Sequence, residues 1–100
     1  MRSTNITLAT LEVDDLDMPL LSADLVVVRR DSGDLDWEVV AMTRPITALH
    51  QSTRRLVMTE FLDGRSLVGD AIVVRSDEQR HVFRGSGPLE GLVTEDGLEM

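Results

Sequence analysis

From Leu56 to Gly91 the chain reads as strand, tight turn, strand, turn, strand. The segments are Leu56 to Leu62, a turn at Asp63-Gly64, Ser66 to Arg75, a turn over Ser76 to Gln79, and Arg80 to Arg84, with a Gly-Ser-Gly-Pro stop at Gly85 to Pro88. Apolar alternation between glycine- and aspartate-rich turns specifies antiparallel strands joined by hairpins. A meander of this kind covers only one of its faces. It must find a second layer or close on itself, and this requirement limits what the other half of the chain can be.

The first half reads as a looser meander. Ile6 to Val13 is a strand with Ala9, Leu11 and Val13 on one face. Asp14 to Asp17 is a polar break, and Pro19 follows it. Leu21 to Arg29 is a second strand with Leu21, Ala23, Leu25 and Val27 on one face, while Val26 and Val28 make its far end apolar on both. Asp31-Ser32-Gly33-Asp34 is a strong turn signal, and Trp37 to Met42 is a third strand facing inward with Trp37, Val39 and Ala41. Arg44-Pro45 breaks the pattern, so residues 43–55 are expected to cross between the halves, with room for no more than one helical turn. The expectation is an all-β fold: six to seven antiparallel strands in a small barrel or a two-sheet sandwich. Residues 1–92 form one domain, with meanders over 6–42 and 56–92, and residues 93–100 form a flexible acidic tail.

The two halves also resemble each other. At an offset of 46 residues, Asp24-Leu-Val-Val-Val-Arg-Arg-Asp31 falls on Asp70-Ala-Ile-Val-Val-Arg-Ser-Asp77, Leu21 on Leu67, and Trp37 on Phe83. A true repeat predicts two meanders related by a pseudo-two-fold axis. Within the second meander, two hairpin registers compete about Asp63-Gly64. A two-residue turn pairs Leu62 with Arg65; a three-residue turn pairs Phe61 with Arg65 and Thr59 with Leu67. The three-residue turn is preferred because it gathers Val57, Phe61, Leu67, Gly69, Ala71 and Val73 on one face. Gly69 and Ala71 are small there and are expected to make room for Trp37 or Phe83.

Charge removes several functions. The formal net charge is −8, with four arginines against nine acids in residues 1–50 and six against nine in residues 51–100. Neither half offers the basic face that neutralises phosphates, so nucleic acid is not an expected partner, nor is an anionic membrane surface. No segment approaches the ~20 apolar residues that span a bilayer, and Met1 to Asn5 lack the character of a signal peptide. With no cysteine in the chain, thiolate chemistry and disulfides are excluded, and a cytoplasmic location is expected.

The layout from Ala9 to Leu89 resembles a small β-domain of actinobacteria, found alone or attached to flavin-containing monooxygenases and without an assigned function. The matching features are Ala9-Thr10-Leu11-Glu12-Val13-Asp14, Trp37 opening a strand after an acidic turn, Pro45 and Leu49 ahead of Arg54-Arg55, and the closing Gly85-Ser-Gly-Pro88. The resemblance implies an accessory module and brings no catalytic residue. Asp15 stands where that layout has glycine, and the aromatic pair around Trp37 is reduced to one.

No constellation in the chain specifies catalysis. His50 with Ser52 lacks a nucleophile elbow, and the acidic turns at Asp14 to Asp17 and Asp31 to Asp36 lack the spacing of a calcium loop. Neither metal nor cofactor is expected, and enzymatic function is left open, leaning against. The reading is a non-catalytic interaction or accessory module that self-associates or docks on a larger protein. Its contact surface is expected at Val26, Val28, Met58, Ile72 and Val74, with Arg54 and Arg55 as interface cations. The alternative is a small-molecule binding barrel with a pocket near Trp37 and Phe83, reached past His50 or His81.

Overall fold

A computed structural model describes residues 2–92 of the chain. These residues form β1 (Arg2–Val13), β2 (Leu16–Asp17), β3 (Leu20–Arg29), β4 (Leu35–Thr43), β5 (Thr53–Glu60), β6 (Ser66–Ser76) and β7 (Arg80–Glu90). The sheet order is β2-β1-β3-β4-β7-β6-β5, and β5 pairs back onto β1. Six antiparallel strands thus close into a barrel, with β2 as an extra rung. The expected acidic tail, 93–100, lies outside the described residues.

The repeat is visible in the register. Val27 pairs with Trp37 and Val73 with Phe83; Val26 pairs with Glu38 and Ile72 with Arg84. Both relations carry the offset of 46 residues seen in the sequence. One meander is β1, β3 and β4; the other is β5, β6 and β7. They join at β4–β7 and at β1–β5, and Glu38 and Arg84, which occupy equivalent places in the two copies, pair with each other.

The interior is filled by side chains. Leu11, Leu25, Val27, Val39, Leu56, Met58, Leu67, Val73 and Phe83 are all fully buried. Close packing of this kind leaves a small barrel solid rather than hollow. The turn Arg29 to Leu35 and the hairpin Glu60 to Arg65 lie at one end, called upper. The β1–β2 turn, the β6–β7 turn and the crossover lie at the lower end.

Five expectations about local structure need correction. β1 buries Ile6 and Leu8, then Leu11 and Val13, while Ala9 is exposed. A bulge between Leu8 and Thr10 shifts the phase by one residue, where the strand passes from β3 to β5 as its partner. A second bulge, between Leu20 and Ser22, turns Leu21 outward instead of into the core. The β5–β6 hairpin adopts neither anticipated register: Thr59 pairs with Ser66 and Met58 with Leu67. The Glu60 amide donates to the Arg65 carbonyl at 2.8 Å, which leaves four residues in the loop. That register buries Leu56 and Met58 and expels Phe61, and Val57 is only half-buried. Finally, Gly85 to Pro88 does not end the last strand, and the crossover is shorter than expected, spanning 44–52.

The Gly85 to Pro88 stretch explains how Trp37 fits. Along β7, Gly85 pairs with Ala71 and Leu89 with Gly69, so β7 has two more residues than β6 in that interval. The extra length lifts β7 over the Trp37 indole. A Cβ on Gly85 would lie 2.3 Å from Trp37 Cε2 and Nε1, and one on Gly69 would lie 2.7 Å from Cζ2. Trp37 Nε1 donates to the Gly87 carbonyl at 2.9 Å. Gly69 therefore makes room for Trp37, as its size predicted, and Gly85 does the same. Overpacking of a filled core costs about 1–3 kcal/mol, and Gly85→Ala is expected to cost that amount or more in urea unfolding followed by circular dichroism. In a Trp37→Ala background, itself about 3–5 kcal/mol less stable, the same substitution should cost little.

Candidate functional site

The residues singled out as ligand-binding do not share a cavity. Phe83 and His81 are fully buried, Trp37 is nearly so, and His50 is exposed in the crossover. What lies beside Trp37 is a surface groove. Two depressions meet at Asp36, Trp37 and Gly85: one of about 520 Å³ on the outer face against Val26, Val28, Glu38 and Arg84, the other of about 580 Å³ at the upper rim against Leu35 and Ser86 to Leu89. The groove opens where the pseudo-symmetry breaks. Below the Glu38–Arg84 pair, β4 and β7 stay paired to Met42 and Arg80; above it β7 bends away, and no pairing equivalent to Val40 with Val82 forms. Arg84 and Glu38 face each other at 3.7 Å, and Arg30 meets Asp36 at 2.5 Å. The groove therefore offers charges that are already paired and exposed, a weak basis for selecting an ionic ligand.

The expected contact residues divide as well. Met58 sits in the core, where its hairpin register puts it, and cannot contact a partner. Val26, Val28 and Val74 are half-buried on the outer wall, and Ile72 is 42% exposed. Val26 and Ile72 flank the Glu38–Arg84 pair in a single cross-strand row. Both interface cations have partners within the chain. Arg54 Nη1 lies 3.2 Å from Asp14 Oδ2, and Arg55 Nη1 lies 3.3 Å from Asp70 Oδ1.

Leu16 and Leu21 are exposed singly, but two large apolar side chains adjacent in the chain stand in water at the β5–β6 hairpin tip. Phe61 is 66% exposed and Leu62 85%. The tip is tightly fastened. The Gly64 amide donates to the Glu60 carbonyl at 3.0 Å with Gly64 at φ +70°, a backbone that suits glycine. The Arg65 amide donates to Asp63 Oδ1 at 3.2 Å, and the Phe61 amide to the Thr7 carbonyl at 2.9 Å. At the neck, Arg65 Nε donates to Glu60 Oε2 at 2.8 Å, with both side chains largely shielded from water. Arg65 Nη1 also reaches the Gly91 carbonyl at 3.3 Å. Sequence reasoning missed this site because Phe61 looks like a core residue in the three-residue-turn register. Its signal was the run Phe61-Leu62-Asp63-Gly64 itself, two large apolar residues directly before a turn.

A polar cluster closes the lower end. His81 Nδ1 lies 2.7 Å from Ser76 Oγ, and Nε2 lies 3.0 Å from Thr43 Oγ1. Burial pushes the His81 imidazole below its ordinary value, opposed by the nearby Asp77 carboxylate. Neither Ser76 nor Thr43 was anticipated; both end strands that flank β7. Among the described residues, no three His, Cys, Asp or Glu side chains converge as a metal site, and no helix is long and apolar enough to cross a membrane. Comparison of the chain with protein-family models, curated proteins and solved structures finds no match in any of the three.

Two exposed carboxylates anchor turns at this lower end. Asp77 Oδ1 accepts the Gln79 and Arg80 amides, each at 2.7 Å; those two bonds hold its carboxyl below the usual range, the Arg80 bond foremost. Asp14, at φ 50°, accepts the Arg55 amide at 2.9 Å, and that bond, with the Arg54 guanidinium, lowers it likewise. A carboxylate lowered on folding contributes stability above its unfolded value, and that contribution is lost as pH falls through the folded one. The urea midpoint is therefore expected to drop as pH falls below about 4, and Asp14→Asn and Asp77→Asn should each flatten that drop.

Proposed function

We propose that this chain is a non-catalytic interaction module that docks on a partner protein through its β5–β6 hairpin tip. The observation that carries the reading is the pairing of exposure with rigidity at Phe61 and Leu62. An aromatic and an aliphatic side chain held in water on a fastened loop lose little further freedom when they enter a pocket, so most of the burial energy goes to affinity. The filled interior supports the same reading, since fully buried side chains such as Leu25, Met58 and Phe83 occupy it among the described residues.

The occupant proposed is a protein with an apolar pocket set in a basic surround. A formal charge of −8 repels a second copy and an anionic membrane alike, and it attracts and steers a basic partner. An accessory role, as the resemblance to the actinobacterial β-domain implies, fits this reading, and so does the cytoplasmic location expected from a chain without cysteine. Small-molecule binding remains as the second reading, moved from the interior to the groove beside Trp37.

The test uses the full chain, carrying a photo-crosslinking amino acid at position 62, in the cells that make it. The expected result is one discrete adduct heavier than two copies of the chain, absent when the crosslinker sits at Ala48 and lost with Phe61→Asp. An adduct of twice the chain's mass would assign the tip to self-association, and no discrete adduct would remove the tip as a docking site. Phe61→Asp and Leu62→Asp should leave the melting temperature nearly unchanged, because surface substitutions usually stay within about 0.5 kcal/mol.

A further inference from the structure

The crossover between the two meanders, residues 44–52, lies across the lower end of the barrel; its far end is held where the Ser52 carbonyl accepts from the Val73 amide at 3.1 Å and the His50 carbonyl from Arg54 Nη2 at 3.4 Å, and its middle by fewer bonds. The Arg44 amide donates to the Pro19 carbonyl at 3.0 Å and the Ile46 amide to the Glu78 carbonyl at 2.8 Å. The Leu49 amide donates to Ser76 Oγ at 2.8 Å, and the Leu49 side chain packs against the core. Gln51 Nε2 reaches the Val74 carbonyl at 3.2 Å. Ser76 Oγ, which holds the middle of this segment, is the same atom that meets His81 Nδ1 at 2.7 Å. The segment and the buried imidazole thus share one hydroxyl.

The hydrogen-bond arithmetic works for a neutral ring. One ring nitrogen donates and the other accepts, and the two hydroxyls supply whichever role is needed. Ser76 Oγ accepts the Leu49 amide and keeps one lone pair for Nδ1, while its proton lies between Nδ1 and the Asp77 carbonyl at 3.4 Å; the Thr43 hydroxyl likewise has the Gln79 carbonyl at 3.5 Å besides Nε2. An added proton makes both nitrogens donors and puts a full charge at a site with no exposure to water. The groups around it do not balance that charge at contact. β4 presents the uncharged Thr43 and β6 the uncharged Ser76. The β6–β7 turn presents Asp77, whose carboxylate is already occupied by two backbone amides and faces Arg75 as well as His81. The crossover brings the Leu49 amide, with His50 exposed one residue on. A cation between two neutral hydroxyls gains most from water, and lifting the crossover is the shortest way to admit it.

We propose that residues 44–52 form a proton-operated strap: when His81 takes up a proton, the bond from the Leu49 amide to Ser76 opens and the segment lifts from the lower mouth of the barrel. The proton comes from solvent and stays on the ring, so no other group changes state. The strap is closed when His81 is neutral. As pH falls below the value of a solvated imidazole, the open form binds more protons than the closed one. The opening equilibrium then rises by up to about tenfold per pH unit, until the closed form is protonated too. This proposal does not depend on the hairpin tip, which lies at the opposite end of the barrel.

The experiment is amide hydrogen exchange by NMR on the full chain between about pH 7.5 and about pH 5.5, with rates corrected for intrinsic exchange. Protection at Leu49 and Ile46 should fall by up to about tenfold per unit below about pH 6.5, while Leu25 and Val39 in the core keep theirs. His81→Gln should remove the pH dependence. If that variant does not fold, the wild-type His81 ring titration serves instead, and it should share its midpoint with the chemical-shift change of the Leu49 amide. Protection at Leu49 that is independent of pH, that falls in step with the core amides, that falls equally in His81→Gln, or whose midpoint departs from that of His81 would overturn the proposal.

Discussion

The barrel depends on one indole. Trp37 fills the space where the two meanders meet at the upper end, and it fits only because glycine occupies the facing positions on β6 and β7. Its Nε1–H, buried and in need of an acceptor, finds the Gly87 carbonyl. That carbonyl is in reach because the strand carries two more residues than its partner at this point. Remove the indole and a cavity opens at the junction; fill either glycine and the ring must leave. The same accommodation parts β4 from β7 above Glu38 and Arg84, so the groove is a consequence of how Trp37 is housed.

The repeat explains why the solution has this shape. Around Val27–Trp37 and Val73–Phe83 the two copies share their register, and Trp37 and Phe83 hold equivalent core positions; toward the β6–β7 turn a bulge between Val73 and Arg75 shifts the second copy by one residue. Perfect two-fold pairing would place two large aromatics against each other's strands with no slack. The copies diverge instead: Phe83 packs under ordinary pairing, and Trp37 takes the place where the strand is longer. At the start of their third strands, which lie at opposite ends of the barrel, the copies diverge in polarity. His81 on β7 projects inward there between the hydroxyls of Thr43 and Ser76, while the corresponding Leu35 of the first copy is apolar and half-buried.

Strand positions and the repeat were legible because they rest on period-two alternation, which survives averaging over a strand. Gly69 was legible because a small residue on a buried face implies a large neighbour. What the alternation cannot carry is a change of phase. The bulge at Ala9 reverses inside and outside halfway along β1, so Leu8 and Leu11 both point inward although they are three residues apart. The bulge before Ser22 does the same to Leu21. In the β5–β6 hairpin, one residue of register decides whether Leu56 and Met58 or Val57 and Phe61 face the core, and Asp63-Gly64 alone is compatible with either choice. Gly85 to Pro88 reads as a stop because glycine and proline usually end strands, yet here they bend one. The candidate sites were correspondingly less legible. The hairpin tip hides in a register error, and the His81 cluster depends on the ends of three separate strands coming together.

The interior is occupied and the paired charges are mostly exposed, and the two ends differ: a fastened apolar tip above and a buried imidazole under the crossover below. The barrel that sets them apart closes at the Trp37 junction. The measurement that tests this most directly is the NMR signal of the single indole N–H. Strong nuclear Overhauser contacts from the Trp37 ring to the Hα protons of Gly69 and Gly85, with slow exchange of the indole proton, are the predicted result. A rapidly exchanging indole proton without those contacts would place the ring outside the junction and contradict the account.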